Sequence, residues 1–368
     1  MQEKIKVLGI IAEYNPFHLG HLWQLNEAKR IVNPDVTVII LGGNYTQRGE
    51  MSILRREDKV KLALNFGADL VVGIPFFSNI QAVNEFAMGS VAVAKKLKIT
   101  HLAFGSEQPN FPYLTKADEY LQSSVSNNPE IKFKNENYAN NLAFNFEKFS
   151  IFLKEANHLL GFYYALAAQK LNFPVELIPI KRAVEEVSSS KIRGLLKDNR
   201  IKEIEKMVPF ETISFLSSKS ISNFESTFAI VKAKLLLESE DELKDIFLLP
   251  EELLKRCKKI VKSSNDYENF IHALKTKRYT LTRIKRIYLY LLLGIRDKVD
   301  DNSTLLRVWG FNHKGEEYLS LIKKSTNLIT NPHRSDYENS RSLKFEYQAN
   351  EFYDFIMNKE SSRLVIER

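Results

Sequence analysis

Two histidines separated by two residues, His18 and His21, stand where this chain could hold a row of phosphates. The stretch His18-Leu19-Gly20-His21 follows the apolar run Ile5 to Ile11 and the turn Glu13-Tyr14-Asn15-Pro16-Phe17. A strand ends there, Asn15 and Pro16 turn the chain, and Gly20 removes a side chain where backbone must approach phosphate closely. A helix is expected to begin near His21. Its first N–H groups lack intrahelical partners and attract anions, so helix end and imidazoles together favour negative charge developing in phosphoryl chemistry. Ordinary capping or surface histidines are the competing reading, and the order strand, turn, glycine, helix weighs against it. The pattern predicts a nucleoside triphosphate site.

Further residues of the right type follow other expected strands. Gly42-Gly43-Asn44-Tyr45-Thr46-Gln47-Arg48-Gly49-Glu50 combines glycines that admit close backbone approach with the fixed donor fork of Arg48, suited to phosphate or RNA. In Phe104-Gly105-Ser106-Glu107, Gly105 would let a nucleotide lie against the backbone. Asn157 precedes an expected helix and either caps it or touches the ligand, the cap being the simpler reading. Lys181-Arg182 is a cationic pair at a strand end, and Ser188-Ser189-Ser190-Lys191-Ile192-Arg193-Gly194 opens a helix. Serines there are ordinary N-caps. Joined by Lys191 and Arg193 they are also a second anion site able to hold leaving phosphates.

In the second half, Lys275, Lys277, Arg278, Arg283, Lys285 and Arg286 surround Tyr279, and Arg307-Val308-Trp309-Gly310-Phe311 repeats the mixture of basic and aromatic residues. Such mixtures pair phosphates and stack unpaired bases, as single-stranded RNA loops require. A solvated helix face beside a core of Ile284, Ile287, Leu289 and Leu291 to Leu293 is the alternative.

The elements that must position these groups are legible in the first half. Lys6 to Ile11, Val36 to Leu41, Leu70 to Ile74, Thr100 to Phe104 and Val175 to Ile180 read as buried parallel strands. Helices are expected at His21 to Ile31, Glu57 to Phe66 with Gly67 as a C-cap, Asn84 to Leu97, Leu159 to Leu171, and near Ser190. The order is that of an α/β doubly wound parallel sheet, whose ligands bind beyond the carboxyl ends of the strands. Pro109 to Lys154, polar and rich in asparagine and lysine, reads as an insertion or a mobile cover over the site. After about Leu196 the chain turns to long amphipathic runs of leucine, lysine and glutamate without strand alternation, which predicts a mainly α-helical domain. The expected division is residues 1–198, with the insertion at about 109–154, and residues 199–368.

At 368 residues two cores are the natural expectation. A net charge of +8 favours an anionic partner, nucleic acid being the commonest. The single cysteine, Cys257, excludes an intramolecular disulfide and a thiolate metal cluster, and is expected to be a buried small apolar residue. No apolar run has the length and lack of charge of a membrane span or a signal peptide, so a cytoplasmic protein is expected.

With these motifs assembled, the chain resembles the bacterial tRNA(Met) cytidine acetate ligases. The resemblance is carried by Glu13-Tyr14-Asn15-Pro16-Phe17-His18, Gly20-His21, the loop from Gly43-Asn44 to Arg48-Gly49-Glu50, Phe104-Gly105-Ser106-Glu107, Lys191-Ile192-Arg193 and, more loosely, Arg278-Tyr279-Thr280 to Arg286. The wider HxGH nucleotidylyltransferase superfamily shares only the histidines and the serine-rich motif. The resemblance implies that ATP and acetate form acetyl-adenylate with release of pyrophosphate, and that the exocyclic N4 amine of the wobble cytidine in elongator tRNA(Met) then takes the acetyl group, giving N4-acetylcytidine. By position it implies an ATP site of Ile11, Ala12, Glu13, Tyr14, Asn15, Pro16, Phe17, His18, Leu19, Gly20, His21, Leu22, Trp23 and Gln24 with Gly105, Asn157 and Arg182.

Catalysis by His18, His21, Lys191 and Arg193 would then be electrostatic, with no nucleophilic side chain required. Arg48, Lys277, Arg278, Arg283, Lys285 and Arg286 would bind RNA, with the target base turned out of its stack. Mg2+ is expected with ATP, held by phosphates and water because no acidic cluster identifies ligands, with Glu13 and Glu107 as side-chain candidates. Two features depart from the family: Leu19 replaces the usual asparagine, and the link Ala183 to Val187 is short. Two other readings use the same first domain, a nucleotidylyltransferase joining AMP to a small phosphorylated cofactor precursor and a non-catalytic RNA-binding protein.

Overall fold

A computed structural model describes residues 5–126, 155–182, 187–216, 224–296, 305–357 and 365–366. Five strands rich in β-branched and leucine residues form its centre: β1 (Val7–Ala12), β2 (Val36–Leu41), β3 (Leu70–Gly73), β4 (His101–Ser106) and β5 (Glu176–Lys181). All four pairings among them are parallel, which favours cover on both faces; β2, at the centre, is buried along its whole length, while the edge strand β5 leaves Glu176 and Lys181 exposed. The order β5-β4-β1-β2-β3 reverses direction at β1, where β4 lies on one side and β2 on the other. Ligand crevices of wound sheets lie at such a reversal, beyond the carboxyl ends.

Helices cover both faces. On one, Val83–Lys96 and Ala156–Lys170 pack through Phe86, Val91, Phe162 and Tyr164. On the other, Leu19–Val32, Arg56–Asn65 and Ser189–Lys197 bury Leu25, Val60, Leu62 and Ile192. Gly67, with φ of 99°, lets the chain leave Arg56–Asn65 in the left-handed region. The first part of the stretch expected to cover the site belongs to the body instead. Tyr113–Ser126 is a helix whose Tyr113 and Ala117 are buried in the core, while residues 127–154 lie outside the described residues.

The second half is not free of strands. β6 (Leu305–Phe311) joins the sheet antiparallel to β3, pairing Leu70 with Phe311 and Val71 with Gly310, and β7 (Asn327–Ile329) and β8 (Val365–Ile366) lie parallel to β6. The doubly wound sheet is therefore extended by chain from beyond residue 199. Arg307 to Phe311, read from sequence as an RNA-stacking stretch, is this strand. Trp309 is buried where a Cβ on Gly73 would lie 2.3 Å from its ring, and Arg56 covers that ring at 5.2 Å. Arg307 approaches Glu346 at 4.0 Å. Both aromatic and cation are engaged within the protein.

The helices within 224–296, with the Arg341–Ile356 helix, form their own core, centred on Phe228, Leu254, Phe270, Ile284 and Tyr288, with Cys257 buried among them, whereas residues 201–216 and the His313–Ile322 helix pack against the sheet. Tyr45, Met51, Phe77 and Ile80 of the first half enter the same core. The loop after β2 is thereby docked onto the helical body.

Candidate active site

The carboxyl ends of β1 and β4 open into a cleft of about 550 Å3. Ile11, Ala12, Glu13, Tyr14, Asn15, His18, Gly20, His21, Trp23 and Gln24 line it, with Gly105, Asn157 and Arg182 opposite and Ser188, Ser189, Ser190 and Arg193 at its mouth. Pro16, Phe17, Leu19 and Leu22 lie behind this wall. Phe17, for example, stacks on Phe66 at 4.8 Å. The replacement of asparagine by Leu19 thus falls outside the cavity lining, and residues 183–186 of the short link lie outside the described residues.

His18 is the N-cap of the Leu19–Val32 helix, which begins two residues earlier than the sequence suggests. Gly20 N–H donates to His18 Nδ1 at 3.1 Å, and His18 N–H donates to His21 Nδ1 at 3.3 Å. The histidines that cap this helix are therefore also the ones that line the cleft. An imidazole whose Nδ1 accepts a hydrogen bond carries its proton on Nε2, so each ring is a fixed donor. The rings stack at 3.7 Å. Burial, reinforced by Arg182, lowers His18 to about 4. Burial, then His18 and Arg182, holds His21 well below its ordinary value. Both are neutral hydrogen-bond donors at pH 7, and positive charge comes from the arginines. A Cβ on Gly20 would lie 3.0 Å from the His18 ring, so this glycine makes room for the cap.

The turn between strand and cap is held firmly. Tyr14 is in the left-handed region at φ of 46°, with its buried ring edge-on to Phe17 and His21. Asn15 Oδ1 accepts from Ile53 N–H at 2.8 Å, and Arg193 Nη1 donates to Asn15 O at 2.9 Å. Arg193 so links the serine helix to the histidine turn. Ser188 caps that helix through Lys191 N–H, while the Lys191 side chain stands on the exposed outer side of the first turn and does not line the cleft.

Across the cleft, a Cβ on Gly105 would meet nothing within 4 Å, so open space faces its backbone. Asn157 lies inside the first turn of its helix, whose N-cap is Glu155. It donates to Glu107 Oε1 at 2.7 Å, and Arg182 reaches the same oxygen at 3.3 Å. Trp23 Nε1 donates to Lys181 O. This polar edge is continuous from strand β5 to the histidine helix.

Lysine 59 was not legible as a site residue. Lys59 is fully buried and donates to the carbonyls of Glu13 at 3.1 Å, Gly42 at 2.7 Å and Gly43 at 2.6 Å, tying together the loops after β1 and β2. Burial pulls its pKa down, and the Glu13 carboxylate opposes that. Its sequence signal, a lysine in an amphipathic helix, is that of an exposed residue. Gly42 and Gly43 pack against Asn79, Glu13 and Trp309, whereas Thr46, Gln47, Arg48 and Glu50 of the same loop line the cleft.

Of the basic residues of the helical half, Lys285 pairs with Glu50 and Arg286 Nη1 donates to the carbonyls of Gln47 and Gln81. Arg278 pairs with Glu252 at 2.8 Å. Arg278 and Arg283 lie 5.5 and 4.9 Å from the ring centre of Tyr279, which is itself buried. Tyr279 is thus no open platform for a base. Arg283 and the exposed Lys277 remain at the surface of this face.

Among the described residues, no group of three or more histidine, cysteine, aspartate or glutamate side chains is placed to hold a metal ion. Glu13 accepts from Gln47 N–H at 2.7 Å, and Glu107 is held by Asn157 and Arg182. No described helix is long and apolar enough to cross a membrane.

Comparison with known proteins agrees with this geometry. A family model described as HIGH Nucleotidyl Transferase matches residues 5–366. The tRNA(Met) cytidine acetate ligase of Latilactobacillus sakei is 33% identical over 340 residues, covering 88% of this chain and 87% of the relative. That of Oenococcus oeni is 30% identical over 374 residues, covering 98% of each. The crystal structure of Thermotoga maritima TmcAL bound with alpha-thio ATP superposes with a TM-score of 0.83 at 25% identity, covering 96% of this chain and 95% of that one. Its apo form gives 0.86 at 25% identity, covering 99% and 100%. The chain belongs to the tRNA(Met) cytidine acetate ligase family of HIGH nucleotidyl transferases.

Proposed function

We propose that this protein activates acetate with ATP and acetylates N4 of the wobble cytidine of elongator tRNA(Met). One observation carries the reading: two helix N-termini, one bearing His18 and His21 and the other Ser188 to Ser190, line the same cleft as the open backbone of Gly105. Helix ends and fixed N–H donors suit a polyphosphate. The nucleoside would lie along Gly105, Asn157 and Arg182.

In the first step an acetate oxygen attacks the α-phosphorus and the bond from that phosphorus to the bridging oxygen of pyrophosphate breaks. Pyrophosphate leaves with the electron pair. The Nε2–H groups of His18 and His21 donate to oxygens that gain charge, and Arg193 and Arg182 supply fixed positive charge. In the second step cytidine N4 attacks the acetyl carbonyl carbon, the carbon–oxygen bond to AMP breaks, and N4 loses a proton. Mg2+ arriving with ATP would be held by phosphates and water, with Glu107, whose Oε2 has no hydrogen-bond partner among the described residues, as a side-chain candidate; it would neutralise phosphate charge. Residues 224–296 would present the anticodon loop through Lys277 and Arg283, with Arg48 at the cleft rim. A cytoplasmic setting fits a tRNA substrate.

The test is acetate-dependent exchange of labelled pyrophosphate into ATP, followed by mass analysis of tRNA nucleosides. Exchange that requires acetate, with N4-acetylcytidine in the tRNA, is expected. Absence of exchange with acetate overturns the proposal.

A further inference from the structure

Part of the cleft wall differs from the rest. Val83 and Phe86 at the start of one helix, Phe104 at the end of β4, and Leu160 and Tyr164 one turn apart on the Ala156–Lys170 helix all line it. These side chains are aliphatic or aromatic, with one polar atom among them. Tyr164 Oη is buried and has no hydrogen-bond partner among the described residues, and Tyr164 as a whole is 1% exposed. The ring is fixed edge-on to Phe104, with centres 5.8 Å apart. Burial, and then the nearby Glu13 carboxyl, raise the phenol well above its ordinary pKa, so it stays protonated and able to donate. A buried donor without an acceptor is costly to keep. Other buried hydroxyls, such as those of Tyr267 and Tyr279, also lack a hydrogen-bond partner among the described residues, but Tyr164 is the one that lines the cleft. At a cavity wall the missing acceptor is naturally a ligand oxygen.

We propose that this wall is the acyl subsite, in which Tyr164 donates to one oxygen of a short aliphatic carboxylate while its methyl group lies against Val83, Phe86 and Leu160. The inference rests on the acetate-activating reading above and adds the residues that choose the acid. One hydroxyl among apolar walls matches a small acid: one acceptor oxygen held, the other directed at the α-phosphorus, and an alkyl group out of water. It does not match an adenine, whose edge offers donors and acceptors together. Those needs are met beside this wall by the Gly105 backbone, Asn157 and Arg182, which line the same cleft with their polar groups. The acid's length would be limited sterically, because Phe86 and Phe104 are buried and cannot swing away without opening the core.

The experiment measures pyrophosphate exchange with acetate, propionate and butyrate, and ATP binding separately by titration, for the wild-type protein and for Tyr164→Phe, Val83→Ala and Leu160→Ala. Tyr164→Phe keeps the ring and is expected to raise KM for acetate about tenfold or more with ATP affinity within about twofold. Either wall variant is expected to raise the propionate-to-acetate ratio of kcat/KM by about tenfold, within the range one methylene commonly sets. If Tyr164→Phe weakens ATP and leaves acetate unchanged, the wall belongs to the nucleotide and the proposal is overturned. Unchanged acid preference in both wall variants, with unchanged acetate KM in Tyr164→Phe, overturns it equally. If no acid supports exchange in the wild type although ATP binds, acetate activation itself fails, a result separable from the other two.

Discussion

Lys285 Nζ lies 2.5 Å from Glu50 Oε1, and Arg193 stands 3.9 Å from the other oxygen of the same carboxylate. Glu50 lines the cleft, Lys285 belongs to the helical body, and Arg193 lies within the serine helix. One carboxylate thus joins the wall of the site to both. Burial alone would raise Glu50, but Lys285, and after it Arg193 and Arg48, hold it below its ordinary range. The nearby Gly49 completes the seam: at φ of 77° it admits the Arg286 backbone, which a Cβ would meet at 2.5 Å.

Lys285→Met and Glu50→Gln should therefore be strongly non-additive. Removing Glu50 leaves half-buried Lys285 without this partner, and removing Lys285 leaves Glu50 with Arg193 alone at close range. Each single change is expected to cost about 1–3 kcal/mol, with a coupling of about 1–2 kcal/mol in the double-mutant cycle. Urea unfolding of the four proteins measures it. Additive losses would mean that the pair is not coupled and would return Lys285 to the surface cations available to RNA.

Stability should also depend on pH through His18. The unfolded chain takes up this proton near 6.5 and the folded protein near 4, so the unfolded state binds more protons between those values. The stabilisation is complete above about pH 6.5 and falls as the pH drops toward 4, by up to about 3 kcal/mol from this residue. His18→Asn keeps an N-cap acceptor and removes the titration. Its urea midpoint is expected to fall less steeply than that of the wild type between pH 6.5 and 4.5. Parallel curves would refute the buried neutral imidazole.

The same two histidines test the chemistry. Removing a preorganised donor at a developing negative charge commonly costs about 100- to 1000-fold in rate. His21→Ala is expected to lose that much in acetate-dependent exchange, with a much smaller change in ATP affinity. A loss confined to ATP affinity would make His21 a binding residue only.

How much of this was legible depends on how local the signal is. Strands β1 to β3 are buried on both faces and read as nearly continuous apolar runs, whereas β4 and the edge strand β5 carry half-exposed and exposed residues and read less cleanly; the site motifs follow the strands directly. β6 gives no such signal. Its Arg307 and Trp309 look like surface chemistry, and only the distant Gly73 and Glu346 explain them. Tyr279 was legible as an aromatic among cations but not as buried. Tyr164 sits in a helix apolar on all sides, which announces burial without saying which hydroxyl lacks a partner.

Lys59 is the sharpest case of a residue whose role is visible only in three dimensions. Three carbonyls from two loops converge on its ammonium, so Lys59→Met should orphan all three and cost about 3 kcal/mol or more. Lys59→Arg should not restore it, because a planar fork does not match three converging acceptors and is larger than the site. The loops so tied carry Glu13 and Gln47 at the cleft, and KM for ATP is expected to rise in any variant that folds. Wild-type stability in Lys59→Met would overturn the clamp.

The surface cations make the last prediction. Arg286 is the wrong residue for a test of RNA contact, because its guanidinium holds the carbonyls of Gln47 and Gln81, and removing it would disturb the cleft. Lys277 and Arg283 lie on the helical body and do not line the cleft. If they meet tRNA phosphates, Lys277→Ala and Arg283→Ala should each weaken tRNA binding and reduce the slope of log affinity against log salt by roughly one or slightly less. Acetate-dependent exchange without tRNA should stay within about twofold. A weaker affinity with an unchanged salt slope would point instead to a structural effect through Tyr279, whose ring Arg283 covers.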